Sequence, residues 1–230
     1  MSLAACSVIG AGIPVQWIPT PVASAITSNP YVTNSATSSA NISAPTTSLP
    51  FTNNGNMVVL MFSGSTVSGI ITNVTYGGQT CTTNAQFVSS GDSDSSQCIY
   101  YLNNAPSGSN SFVVGRTSGA PLSAGWIMLS IASAATTQDG ERATNAPGGN
   151  SLGRTNTVST SAGNLVLYFG ASASFNAGLS FAGGMTELQE LSNGSCDAAA
   201  GSTNAVGSST TVSYSYGNNA HNSAFAWVVK

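Results

Sequence analysis

Charge is what this sequence has least of. Of its 230 residues 5% are charged, four of them basic and seven acidic, where ordinary soluble domains carry roughly a quarter. Arg116, Arg142, Arg154 and Lys230 are the whole positive complement, too few to neutralise the series of phosphates that nucleic-acid binding requires. A net charge of −3 also gives little self-repulsion, which suits a chain held in an assembly better than one kept dispersed. Histidine is nearly as scarce. His221 is the single neutral-pH base, and it lies in the polar string Asn218-Asn219-Ala220-His221-Asn222, which reads as a hairpin turn. Neither enzymatic activity nor a cofactor is expected of such a chain.

Long apolar runs are also missing. None approaches the ~18 residues that span a bilayer, so no membrane span is expected. Leu3-Ala4-Ala5-Cys6 has the form of a lipobox, but only Met1 and Ser2 precede it, which leaves no apolar segment of the kind a signal peptide needs. No window of helical length combines a 3.6-residue apolar period with caps.

Cys6, Cys81, Cys98 and Cys196 have no Cys-x-x-Cys spacing, which argues against zinc. Cys81 and Cys98 flank a polar loop, and a disulfide between them is expected, worth ~3 kcal/mol on the chain-entropy model. The alternative is that they are small buried thiols filling core positions. Within that loop, Asp92 and Asp94 of Gly91-Asp92-Ser93-Asp94-Ser95 resemble the start of a calcium loop. The further acidic ligands and the distal Glu are absent, so they are weak calcium candidates and no metal site is assigned. Glu187 and Glu190 are three residues apart in an expected strand, so simple alternation puts them on opposite faces and excludes a facing carboxylate pair.

What is present is 41% hydrophobic residues, gathered in short runs such as Met57-Val58-Val59-Leu60-Met61-Phe62 that exclude a disordered chain. Val, Ile, Phe and Tyr dominate these runs, and Gly, Asn and Ser bound them, which predicts strands. They fall near 56–63, 70–76, 97–102, 111–115 and 124–132, then 156–160, 164–171, 184–190, 196–200, 210–216 and 223–229. Residues 1–50 differ: Pro14, Pro19, Pro21, Pro30, Pro45 and Pro50 exclude helix and disfavour sheet interior. They read as an extended Pro/Ser/Thr-rich arm whose Ile13, Val15, Trp17, Ile18 and Val22 need a partner surface, either the chain's own body or a neighbouring subunit.

The two strand sets read as copies in the same order. Gly55-Asn56-Met57-Val58-Val59-Leu60 is echoed by Gly163-Asn164-Leu165-Val166-Leu167-Tyr168, and Tyr76-Gly77-Gly78-Gln79-Thr80 by Ala182-Gly183-Gly184-Met185-Thr186. Cys98 aligns with Cys196, and Ala124-Gly125-Trp126-Ile127 with Phe225-Ala226-Trp227-Val228. The expected fold is therefore all-β: a composite antiparallel β-sandwich, jelly-roll-like, built from two pseudo-repeats. Its parts are the arm (1–50), a first β half (51–135), an exposed loop connection (136–155) and a second β half packed with the first (156–230).

The order Gly-Asn and apolar run, Tyr76-Gly77-Gly78-x-Thr80, Tyr100-Tyr101-Leu102-Asn103-Asn104-Ala105-Pro106-x-Gly108, then Trp126 and apolar run resembles a β-sandwich module recurrent in bacteriophage virion proteins and bacterial surface proteins. The resemblance covers about residues 50–230, and its motifs are structural punctuation that carry no catalytic residues. It implies a virion structural protein, foremost a capsid cement or decoration subunit at the virion surface or another extracellular site. The partners implied are copies of itself and neighbouring capsid or fibre proteins. The alternative is a fibre or extracellular adhesin binding glycans or a host receptor. Tyr100 and Tyr101 face opposite sides of their strand, so at most one would point outward as a sugar platform.

Overall fold

A computed structural model describes residues 29–42, 45–64, 71–87, 96–117, 124–138, 140–172, 179–192 and 197–230, with side chains left aside at 86–87, 96, 144–151 and 217–221. The described chain is all-β. Its strands are β1 (Tyr31–Ser38), β2 (Thr46–Asn53), β3 (Met57–Gly64), β4 (Ile71–Tyr76), β5 (Gln79–Thr80), β6 (Thr82–Phe87), β7 (Ser96–Asn103), β8 (Gly108–Arg116) and β9 (Ala124–Ala132). They continue as β10 (Arg142–Ser159), β11 (Leu165–Ser172), β12 (Leu179–Ala182), β13 (Thr186–Ser192), β14 (Asp197–Asn204) and β15 (Ser209–Val229). Every pairing among them is antiparallel.

These strands form three sheets, ordered β2-β8-β4-β5, β1-β9-β3-β7-β6 and β10-β15-β11-β14-β13, with β12 also paired to β15. Side-chain alternation shows how the sheets stack. Leu49, Phe51, Val74, Tyr76, Phe112 and Val114 of the first sheet meet Val58, Leu60, Phe62, Cys98, Tyr100 and Trp126 of the second in one core. The other face of the second sheet, with Met57, Val59, Met61, Ile99, Ile127 and Leu129, packs on Leu165, Leu167, Phe169, Phe225 and Trp227 of the third. The third sheet then turns over on itself. Residues 222–229 of β15 pair with β11 and residues 213–216 pair with β12, and Tyr168, Val166 and Ala226 pack against Val212, Tyr214 and Val158 across a third core.

The burial of each strand follows from its layer. β2 lines an outer face and alternates strictly, with Thr46, Ser48, Pro50 and Thr52 exposed and Thr47, Leu49, Phe51 and Asn53 buried. β3 and β11 are central strands covered on both faces, and all eight residues of each are buried. A strand with no wet side reads as an unbroken apolar run.

Several expectations change. The arm assigned to 1–50 contributes, in its described part, two strands: β1 pairs with β9 and β2 with β8. Both are edge strands, which is how Pro50 is accommodated. The connection expected at 136–155 is mostly strand, since β10 starts at Arg142 and pairs along β15 with register shifts at Asn145/Gly148, Gly148/Asn150 and Ser151/Gly153. It is also only partly exposed. Gln138 is buried, its side chain bonded to Ala135 and Lys230, and a Cβ on buried Gly140 would sit 1.8 Å from the Val228 carbonyl oxygen. The hairpin turn expected around His221 is continuous backbone within β15.

Candidate functional site

The arm contacts Ile13, Val15, Trp17, Ile18 and Val22 lie outside the described residues, as do Asp92, Asp94, Cys6 and Cys196. Among the described residues no group of three or more His, Cys, Asp or Glu could hold a metal ion. No helix there is long and apolar enough to cross a membrane.

The expected Cys81–Cys98 disulfide is not formed; both are free, buried thiols. Register explains why. Cys81 precedes Thr82, which pairs with Tyr101, while Cys98 lies three residues further along β7 and pairs with Gln86. Cys81 thus falls four β7 residues from Cys98, about 13 Å along the strand at about 3.3 Å per residue, beyond the reach of a disulfide. Burial pushes each thiol up to about 12, which keeps both protonated and unreactive at neutral pH.

Alternation also fails for the two glutamates. β13 carries a register shift between Glu187 and Gln189, so Glu187 pairs with Gly201 and Glu190 with Ala199, and the bulge returns both to one face. Glu190 accepts a bond from the Leu179 backbone N–H at 2.9 Å and so fixes the start of β12. Tyr100 and Tyr101 do face opposite ways, yet both faces are covered. Tyr100 lies in the first core, and Tyr101 packs on Trp227 with ring centroids 5.1 Å apart.

The sequence also contains a Gly-x-Ser-x-Gly string, Gly149-Asn150-Ser151-Leu152-Gly153. A nucleophile elbow requires a sharp strand-to-helix turn. Here the string runs mid-strand in β10, where Ser151 pairs with Ala220 and Asn150 with His221.

What the fold does present is a pair of outer faces. On the first sheet, Thr46, Ser48, Pro50 and Thr52 lie beside Ser109, Ser111 and Val113. On the far side of the molecule, Thr155, Thr157 and Ser159 of β10 lie beside Thr211, Ser213 and Ser215 of β15. Hydroxyls bridge neighbouring strands in both places: Thr52 to Ser109 at 3.1 Å and Thr157 to Thr211 at 2.9 Å. None of these side chains is charged.

Of the described charges, Glu141 reaches the edge of the second face and the arginines sit elsewhere. Arg116 is buried and donates to the Ile42 carbonyl at 2.7 Å. The Arg142 guanidinium lies 5.7 Å from the Trp227 ring centroid and also bonds Asn84 of β6, joining the connection to the first half. Glu141 accepts the Ser159 N–H at 2.7 Å. Hydrogen bonds from Ser159 hold its carboxyl below the usual range.

Comparison with protein-family models, with curated proteins and with solved structures gave no match to this chain.

Proposed function

We propose that this chain is a non-enzymatic structural protein of a virion surface, a capsid cement or decoration subunit built from a duplicated β-sandwich module. The observation that carries the reading is the pair of hydroxyl-bearing outer faces at opposite ends of the layered body, whose strand positions carry no charged side chain and which Glu141 meets only at the edge, at Ser159. Such faces impose little electrostatic repulsion on close neighbours, so they suit lattice contacts among copies of the chain and adjacent capsid or fibre proteins.

Strand order supports the duplication. The first half runs β9-β3-β7-β6 in one layer and β2-β8-β4 in the other; the second runs β15-β11-β14-β13 and β10-β15-β12. Both Gly-Gly turns have positive φ at each glycine, 55° and 81° at Gly77 and Gly78, 77° and 74° at Gly183 and Gly184. The apolar segment before β1, with Ile13, Val15, Trp17, Ile18 and Val22, serves in this reading as the arm that reaches a neighbour, adding binding energy multiplied over many copies.

The test is mass spectrometry and immunolabelling of purified virions from the source, followed by rebinding of the full chain and of residues 29–230 to stripped particles. The full chain is expected on the particle surface, with rebinding weakened at least tenfold by the truncation. Its absence from particles overturns the reading, and undiminished rebinding of 29–230 overturns the role of the arm. A second reading, a fibre or surface adhesin, is favoured by the groove described next.

A further inference from the structure

Where the second and third sheets diverge, the core between them opens into a groove of about 460 Å³. On β14, Ala198 and Ala200 face that core, and the same strand face continues outward as Ser202 and Asn204. On β13, Thr186 and Leu188 line the groove while Glu187, between them, alternates away. The opposite wall is Tyr31 of β1, whose large ring is half exposed (50%). A hydrogen bond of 2.9 Å from Gln189 Nε2 to Ser35 Oγ ties the two walls together, so the groove is held open by the fold.

The lining selects a ligand class. Its size falls in the range of small-molecule sites, roughly 300–1,000 Å³. No charged side chain lines it among the described residues, so none of them compensates a carboxylate, phosphate or ammonium, and a charged ligand would lose its hydration unpaired. The combination of an exposed phenol ring with Thr, Ser and Asn side chains matches the alternating C–H faces and hydroxyl rims of a sugar ring.

We propose that this groove is a binding site for a neutral saccharide, with Tyr31 as the stacking platform and Thr186, Ser202 and Asn204 as hydrogen-bonding partners. The site rests on the groove alone and holds whether or not the chain decorates a particle.

Saturation-transfer NMR on the full chain tests it, with neutral oligosaccharides of glucose, galactose, mannose and N-acetylglucosamine as probes and sialyllactose as the charged comparison. At least one neutral probe is expected to give a signal that falls below a tenth in Tyr31→Ala and survives in Tyr31→Phe. Asn204→Ala is expected to lower it several-fold, while Leu152→Ala, at another exposed apolar residue, leaves it unchanged. Circular dichroism melting checks each variant's fold; if Tyr31→Ala does not fold, Asn204→Ala and Tyr31→Phe decide. The proposal is overturned if no neutral probe responds, if only sialyllactose does, or if folded Tyr31→Ala and Asn204→Ala bind undiminished.

Discussion

The two halves of the molecule, which the proposed duplication reads as copies, pack different side chains between their layers. The first half packs Phe51, Phe62, Phe112 and Trp126 with Tyr76, Tyr100 and two thiols between its layers. The second packs Tyr168, Tyr214 and Tyr216 among alanines and valines. Phenols in both cores use backbone partners, Tyr76 of the first donating to the Phe51 carbonyl at 3.0 Å. Tyr168 donates to the Arg154 carbonyl and to Asn156, both at 3.0 Å, and Tyr214 to the Ser223 carbonyl at 2.7 Å. The Gly-Asn pairs diverge in the same way. A Cβ on Gly55 would sit 2.1 Å from the Ile131 carbonyl oxygen, whereas Gly163 is needed for its φ of +89°. The two cores thus differ in how much of their volume is phenylalanine, thiol, alanine or tyrosine, while both bury phenols.

The most disruptive way to break this comparison is at the core the halves share. Trp227→Ala is expected to cost about 3–5 kcal/mol, as for large buried aromatics generally. Because Trp227 is fully buried beside Tyr101 of the first half, calorimetry should show one cooperative transition moving as a whole. Two separated transitions would mean that the halves fold independently.

Alkaline titration reads the two thiols of the first core. The folded thiols of Cys81 and Cys98 are raised from 9.0 to about 12 by burial. Their stabilising effect is therefore complete below pH 9 and lost as pH rises toward 12, about 2–3 kcal/mol for the pair by pH 10. The buried phenols, Tyr76 and Tyr100 of the first half and Tyr168, Tyr214 and Tyr216 of the second, are also raised by burial and begin to contribute only above 10. Denaturant midpoints measured from pH 8 to 11 should show the decline beginning about one pH unit later in Cys81→Ala/Cys98→Ala than in the parent. In the native parent both thiols should also resist an aromatic disulfide reagent until the chain unfolds.

The paired turns offer a finer comparison. Gly78 and Gly184 have positive φ, and a Cβ added at either would have no neighbour within 4 Å, so alanine there meets backbone strain alone. Each substitution should cost about 1–2 kcal/mol, and urea titrations giving unequal losses would show that the turns are not equivalent. The smallest effect is expected on the outer faces. Thr52→Ala and Thr157→Ala, each removing one exposed hydroxyl pair, should change stability by no more than about 0.5 kcal/mol, whatever they do to assembly.

Legibility in the sequence tracked local chemistry. The runs at 57–62 and 165–169 and the two Gly-Gly turns were readable because burial on both faces and positive φ each leave a residue-level mark. The strands at 31–38 and 46–53 were not, because their Ser, Thr, Asn and Pro are what edge strands tolerate. Matching Trp126 with Trp227 also fails. Met57 pairs with Ile131 and Leu165 with Val229, so under the proposed duplication the position matching Trp126 is Ala224 and that matching Cys98 is Ala199. The displacement of three residues reverses parity: Trp126 faces the first core and Trp227 the shared one. Of the groove, the sequence showed nothing, since Tyr31 lies more than 150 residues from Thr186 and no local pattern marks the pair.

By itself, then, the sequence determined an all-β chain with scarce charge, apolar central strands and Gly-Gly turns, because each follows from residue type and short-range periodicity. Tertiary structure alone decided which face each strand buried, that a bulge in β13 brought two glutamates to one side, that the cysteines stay apart, and that Tyr31 stands across a groove from Asn204. Those outcomes depend on register and on sheet stacking between distant segments, and a shift of one residue reverses every side chain on a strand.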